Sequence, residues 1–411
     1  MSVQFAEPNL LRAAIAAGDS SEAYRMLVAF VASVEEDVTN DLMDLVEQAM
    51  SNCFHESQIL DFDSSWGEKF RKSIHKERYH SLITEYNGLK FSDSTRNVIV
   101  GTDGYLYLSG GRHSVLDYIT GRKNPDSHSF DNFRDNIKRR AEYCSARNIK
   151  YTHIIFPDKQ SVEIENFPLD KYSCLGDAYS KYCIDLPQSL LYPRLELGSG
   201  SFHKKDTHMS DRGYCVLTSL LLKQLGFSSK VCEEVKQELL SCLTKPVKYS
   251  GDLGSKMVPE EFDVKLDIDA GWNYKHLKNN LGVSNDGLSE LYFNEAALTQ
   301  MRVLIFGDSF SRLHSLFLSK CFKEVVFLRT RYFHEELVEM AKPDLVITGN
   351  AERYLSFVEK DEMAPNFFLY PLLKGIGHAP DQEYAVAMNA FLSYGKPAYR
   401  KFKDEIIRYG F

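Results

Sequence analysis

The chain has 411 residues, 44% of them hydrophobic, and a formal net charge of −8, enough apolar material for one large core or two moderate ones. The modest acidic excess and the lack of a long Lys or Arg run argue against a general nucleic-acid binder, while leaving room for a local basic groove. No uninterrupted apolar run of about 18 residues occurs, so no membrane span is expected.

The amino terminus, MSVQFAEPNLLRAAIAAGDSS, has no basic leader region and its apolar stretch is broken by Arg12. It is a poor secretion signal, and a cytoplasmic chain is expected. The eight cysteines show no CxxC pair or finger spacing, which argues against structural zinc and for free thiols in a reducing compartment.

Residues 9–50 carry apolar side chains three and four apart and predict helices over NLLRAAIAAG, SSEAYRMLVAFVASV and TNDLMDLVEQAM. Gly18, Asp19, Ser20 and Ser21 end the first and cap the second. This gives a small helical module over 1–60, which either packs on the main domain or docks a protein partner. From about residue 95 the pattern changes. NVIVGTDGYLYLSGG predicts two strands joined at Thr102, Asp103 and Gly104. DNFRDNIKRRAEYCSARN then predicts an amphipathic helix, and YTHIIFP a buried strand.

Residues 243–300 are irregular and rich in turn signals, and read as an insertion or connecting segment. Over 302–349, RVLIF, a helix at 311–321, EVVFL, a helix at 333–341 and DLVIT alternate at the spacing of right-handed βαβ units. The fold class is therefore α/β, a parallel sheet flanked by helices, with the main domain over 61–385 and a carboxyl-terminal helix over 386–411. Open sheets of this kind place their sites at the carboxyl ends of the strands, so IFGDS and VITGN fall at one edge.

At that edge Ser309 precedes a helix, where free amides suit an oxyanion or a capping serine. Both readings, nucleophile and cap, stand at this point. A serine nucleophile needs a base. In SFHKKDTHMSDRG, Asp206 lies two positions before His208, close enough to accept the Nδ1 proton and leave Nε2 facing a serine. The same short pattern serves a metal pair or a solvated turn. Asn350, ending DLVIT, offers an amide donor for an acyl oxygen or simply permissive turn backbone. Glu352 and Arg353 pair with one another or with neighbours. Tyr105, Tyr107, Trp272 and Tyr274 suit sugar stacking, or core and hairpin packing.

Five stretches in order carry a family resemblance: VGTDGYLYL, IIFPDKQSV, DTHMSDRG, GDLGSKM and GDSF. GDSF resembles the serine block of the SGNH hydrolase superfamily, and the whole set resembles the alginate O-acetyltransferase group, AlgJ and AlgX, over roughly residues 95–360. The resemblance implies an SGNH-like fold with Ser309 as nucleophile, His208 as general base and Asp206 as its orienting partner, with no metal. Met209 stands where the group has tryptophan. LRTRYF lacks the glycine that SGNH enzymes use as an oxyanion donor, which leaves that work to the Ser309 amide and Asn350, with Arg331 as a helper. The resemblance also implies an O-acetyltransferase acting on a carbohydrate acceptor such as a capsule, lipopolysaccharide or exopolysaccharide precursor, with no bound cofactor and, in the cytoplasm, acetyl-CoA as donor. A carbohydrate acetylesterase with the same three residues and a non-catalytic glycan-binding component of a synthesis complex are the alternatives.

Overall fold

The computed structural model describes residues 90–91 and 98–394, apart from 111–112, 170–172, 258, 282–284 and 376–379. Two compact units divide the chain, 1–90 and 91–411. The helical module expected over 1–60 lies outside the described residues, as does the part of the expected carboxyl-terminal helix beyond 394.

Strands β1 (Val98–Val100) and β2 (Leu106–Leu108) form the expected antiparallel hairpin. Its turn passes through Asp103 and Gly104 at φ 49° and 75°, the left-handed region that glycine enters without a Cβ clash. Tyr105 and Tyr107 are buried, and the Tyr107 hydroxyl donates to the Glu163 carbonyl at 2.8 Å. Of the two roles open to them, these tyrosines take hairpin packing. Helix α1 (Ser127–Ser145) starts earlier than its apolar pattern suggests, because the Asp126 carboxylate caps it by accepting the Ser129 amide at 2.6 Å.

Besides the two-residue strand Lys90–Phe91, the remaining strands are β3 (Lys150–Phe156), β4 (Leu190–Leu191), β5 (Leu243–Tyr249), β6 (Asp263–Ile268), β7 (Lys275–Lys278), β8 (Ser289–Phe293), β9 (Thr299–Gly307), β10 (Phe322–Arg329) and β11 (Leu345–Ala351). Among the described residues they give a seven-stranded sheet in the order β4-β3-β11-β9-β10-β8-β7 and a separate two-stranded ribbon, β5-β6. The first five sheet strands are parallel, and β8 and β7 close the far edge antiparallel. The segment 243–300, expected as an insertion or connection, thus supplies both the ribbon and two sheet strands. Charged positions in KHLK, on the open edge, hide its strand pattern, as edge strands commonly do.

Side-chain alternation builds the layers. Val303, Ile305, Val325, Phe327, Leu345 and Ile347 pack with α2 (Asp211–Gln224), α3 (Ser229–Ser241) and α4 (Ser309–Cys321) on one face. Leu304, Phe306, Val326, Leu328 and Val346 pack with α1, α5 (Glu335–Ala341) and α6 (Gln382–Leu392) on the other. No helix among the described residues is long and apolar enough to cross a membrane.

Candidate active site

The run IFGDSF stops being a strand because Asp308 ends it. Asp308 is the N-cap of α4: one carboxylate oxygen accepts the Phe310 amide at 2.9 Å and the other the Ala351 amide at 2.7 Å, which ties the helix start to the end of β11. The cap position is therefore taken by Asp308, and Ser309 is the first helical residue, its side chain released from capping. Its amide lies among those that a helix leaves without an internal acceptor, at the positive end of the dipole. Gly307 is required beneath it, since a Cβ there would fall 2.2 Å from Ser311 Oγ.

His208 arrives from the other side, on the irregular chain before α2. His208 Nε2 lies 2.8 Å from Ser309 Oγ. Its Nδ1 lies 2.7 Å from Asp206 Oδ1, which also accepts the His208 amide at 2.8 Å. An ionised carboxylate only accepts, so Nδ1 carries the hydrogen and Nε2 is left as the acceptor toward the serine. Asp206 is buried while 21% of the His208 side chain remains exposed. Burial pushes the Asp206 carboxyl up, but hydrogen bonds and charge from His208, with the Tyr249 hydroxyl, outweigh it and hold the group well below the usual carboxylate range.

Several contacts hold that segment in place. Asp206 Oδ2 accepts the Tyr249 hydroxyl and, at 3.1 Å, the Asp252 amide. The Asp252 carboxylate accepts the Thr207 amide at 2.7 Å and the Thr207 hydroxyl at 2.6 Å. Gly251, at φ 63°, has no alternative here, because a Cβ would stand 2.4 Å from the Lys205 carbonyl oxygen and 2.7 Å from Asp206 Cβ. Beneath, Lys159 Nζ donates to the carbonyls of Leu106 at 2.7 Å and Lys204 at 3.0 Å. Burial pushes the Lys159 amine down to about 7, and a neutral amine has the two hydrogens these acceptors need.

Asp206, His208 and Asp252 present ligand-type atoms within 4.8 Å of one another. All four carboxylate oxygens already accept N–H or O–H donors, so a cation there would have to displace them. The donor pattern fits a hydrogen-bonded triad.

Asn350 reaches the same edge, because β9 and β11 align Gly307 with Gly349. Its Nδ2 donates to the Ala351 carbonyl at 2.9 Å, which leaves the second amide hydrogen for another acceptor. Arg331 stands in an ion pair with Glu359 at 3.1 Å and lies over the Tyr332 ring. Ser309 and Asp206 are thus linked through His208, Asn350 shares their sheet edge, and Arg331 is engaged by Glu359. Met209 is buried in the core below the site. Trp272 donates to Ser319 Oγ at 3.0 Å and, with Tyr274, packs against the core.

Arg353 pairs with Asp158, at 2.5 Å, and stacks over the Phe310 ring, which in turn lies 4.9 Å from the His208 ring. Burial pushes the Asp158 carboxyl up against the pull of Arg353. Glu352 turns away from Arg353 and accepts the Asp158 and Gly176 amides and the Ser161 and Tyr192 hydroxyls. Burial and the nearby Asp158 push its carboxyl up to about 7. Sequence reasoning assigned no role to Asp308, Asp158 or Tyr249. The close glycines of GDLG, which stands just after Tyr249, were the one visible signal near it.

No protein-family model and no curated protein matches the chain. Among solved structures it is similar to Bacillus cereus PatB1 with a sulfonyl adduct, at 11% identity and TM-score 0.46, over 65% of this chain and 100% of that one. It is similar to the O-acetyltransferase domain of Pseudomonas putida AlgJ, at 13% identity and TM-score 0.41, over 68% and 99%. With Pseudomonas aeruginosa AlgX it shares 11% identity at TM-score 0.34, over 69% of each chain.

Proposed function

We propose that this protein is a carbohydrate O-acetyltransferase working through an acetyl-serine. The observation that carries the reading is the unbroken chain from Ser309 Oγ to His208 Nε2 and from Nδ1 to Asp206, at 2.8 and 2.7 Å. In the first half-reaction Ser309 Oγ attacks the acetyl carbonyl while its proton passes to His208 Nε2. The oxyanion is met by the Ser309 amide and the Asn350 side chain. As the donor's bond to the acetyl carbon breaks, the proton on Nε2 goes to the leaving group. In the second half-reaction a sugar hydroxyl gives its proton to Nε2 and attacks the acetyl carbon. The Ser309 ester bond breaks and Oγ recovers the proton. Acetyl-CoA is the proposed donor and a polysaccharide or glycan precursor the proposed acceptor.

The partial exposure of the His208 side chain favours a second reading, an acetylesterase, because water reaches part of the imidazole. An activated acetyl ester with and without oligosaccharide acceptors separates the two. Transfer predicts acetylated sugar, at the expense of free acetate, by mass spectrometry. Free acetate alone, with every acceptor offered, supports the esterase. Neither product would overturn both.

A further inference from the structure

We propose that Tyr249 is a positioning residue for the triad: its hydroxyl, given to Asp206 Oδ2, fixes the carboxylate so that Oδ1 holds the His208 Nδ1 hydrogen and Nε2 stays aimed at Ser309. The proposal rests on the acyl-transfer reading above.

Tyr249 is the last residue of β5, on the ribbon that pairs only with β6 and stands apart from the central sheet. Its ring is already placed without the hydroxyl, under the Lys265 ammonium at 4.3 Å and beside the His203 ring at 5.5 Å. Packing therefore accounts for the ring and not for the oxygen. The hydroxyl goes to the carboxylate oxygen that His208 does not use. With the Asp252 amide it completes two donors on each oxygen of Asp206, so rotation of the carboxylate breaks bonds whichever way it turns.

Burial pushes the Tyr249 phenol up, with the charge of Asp206 adding to it, so it remains a donor wherever a histidine base works. Among the other charged or titratable groups around the pair are Asp252, Asp267, Tyr214, Lys159, Lys265 and His203. Tyr249→Phe leaves all six in place and removes a single oxygen. Without that donor the charge of Asp206 is less dispersed and stabilises a protonated His208 more strongly, so the imidazole keeps its proton to higher pH.

The test is an NMR titration of the His208 ring in the full chain, paired with the pH dependence of acetylation by an activated acetyl ester. For Tyr249→Phe the His208 midpoint is expected to rise by about half to one pH unit, and the acid limb of the acetylation rate to rise with it. The maximal rate is expected to fall roughly tenfold with KM within about twofold of wild type. A fluorotyrosine at 249, a stronger donor of nearly the same shape, is expected to move the midpoint the other way. The midpoint is read without substrate, so it is independent of whether Ser309 is acetylated. An unmoved midpoint in a folded Tyr249→Phe protein would overturn the proposal, and so would a fluorotyrosine that moves it in the same direction as phenylalanine.

Discussion

The two halves of the site are held by different means. Ser309 stands on backbone: a strand end paired on both sides, a helix start, an aspartate cap, and glycines where β9 and β11 touch. His208 and Asp206 stand largely on side chains, the Tyr249 hydroxyl, the Asp252 carboxylate on Thr207 and the Lys159 amine beneath, supplemented by the Asp252 amide on Asp206 and the Leu253 and Gly254 amides on the Lys205 carbonyl. Backbone placement is shared among many cooperative bonds and tolerates little, whereas side-chain placement can be adjusted one bond at a time. The Ser309 half is accordingly expected to fail outright when altered, and the His208 half to be retuned in steps.

The largest effect is expected where a reacting atom is lost. Ser309→Ala and His208→Ala should each lower acetyl turnover by at least about a thousandfold, and the double variant by no more than either alone, since the two act as a unit. Asp206→Asn should come close behind, because an amide in that place no longer enforces Nδ1–H. Steady-state kinetics with an acetyl ester checks all four, and additive losses would break the idea of one linked chain. Gly307→Ala, with its Cβ 2.2 Å from Ser311 Oγ, is expected to lower the melting temperature by several degrees as well as the rate. Thermal unfolding decides whether the backbone half is as intolerant as its packing implies.

Smaller effects belong to the His208 half. Asp252→Asn keeps its backbone amide on Asp206 and loses an acceptor for Thr207, so a loss of roughly tenfold in rate with a near-wild-type melting temperature is expected. The smallest effect is one of pH. Because burial holds Lys159 near 7 in the fold against about 10.4 in the unfolded chain, the unfolded state binds more protons between those values. The contribution of Lys159 to stability should therefore rise from pH 7 toward pH 10, and Lys159→Met should remove that slope. Melting temperatures across this range test it, and an unchanged slope would mean that Lys159 keeps its proton in the fold.

The same division decided what was legible in the sequence. The βαβ run over 302–349, the hairpin at Asp103 and Gly104 and the strand end at Gly307 follow from local alternation, and the fold class came with them. Ser309, His208 and Asp206 were visible as residue types in suggestive company. That Asp308 ties the helix start to Ala351, that Tyr249 reaches Asp206 from 43 residues away and that Arg353 chooses Asp158 over Glu352 depend on tertiary contacts that no local pattern encodes. The edge strand β7 was missed for a related reason, since charge on an open edge interrupts the alternation by which strands are read.

The most direct test of the account is intact-protein mass spectrometry after brief exposure to acetyl-CoA or an activated acetyl ester. The expected result is one added acetyl group on the wild-type chain, mapped to Ser309 and lost in Ser309→Ala. An acetyl group that persists in Ser309→Ala, or no adduct and no turnover with either donor, would contradict it.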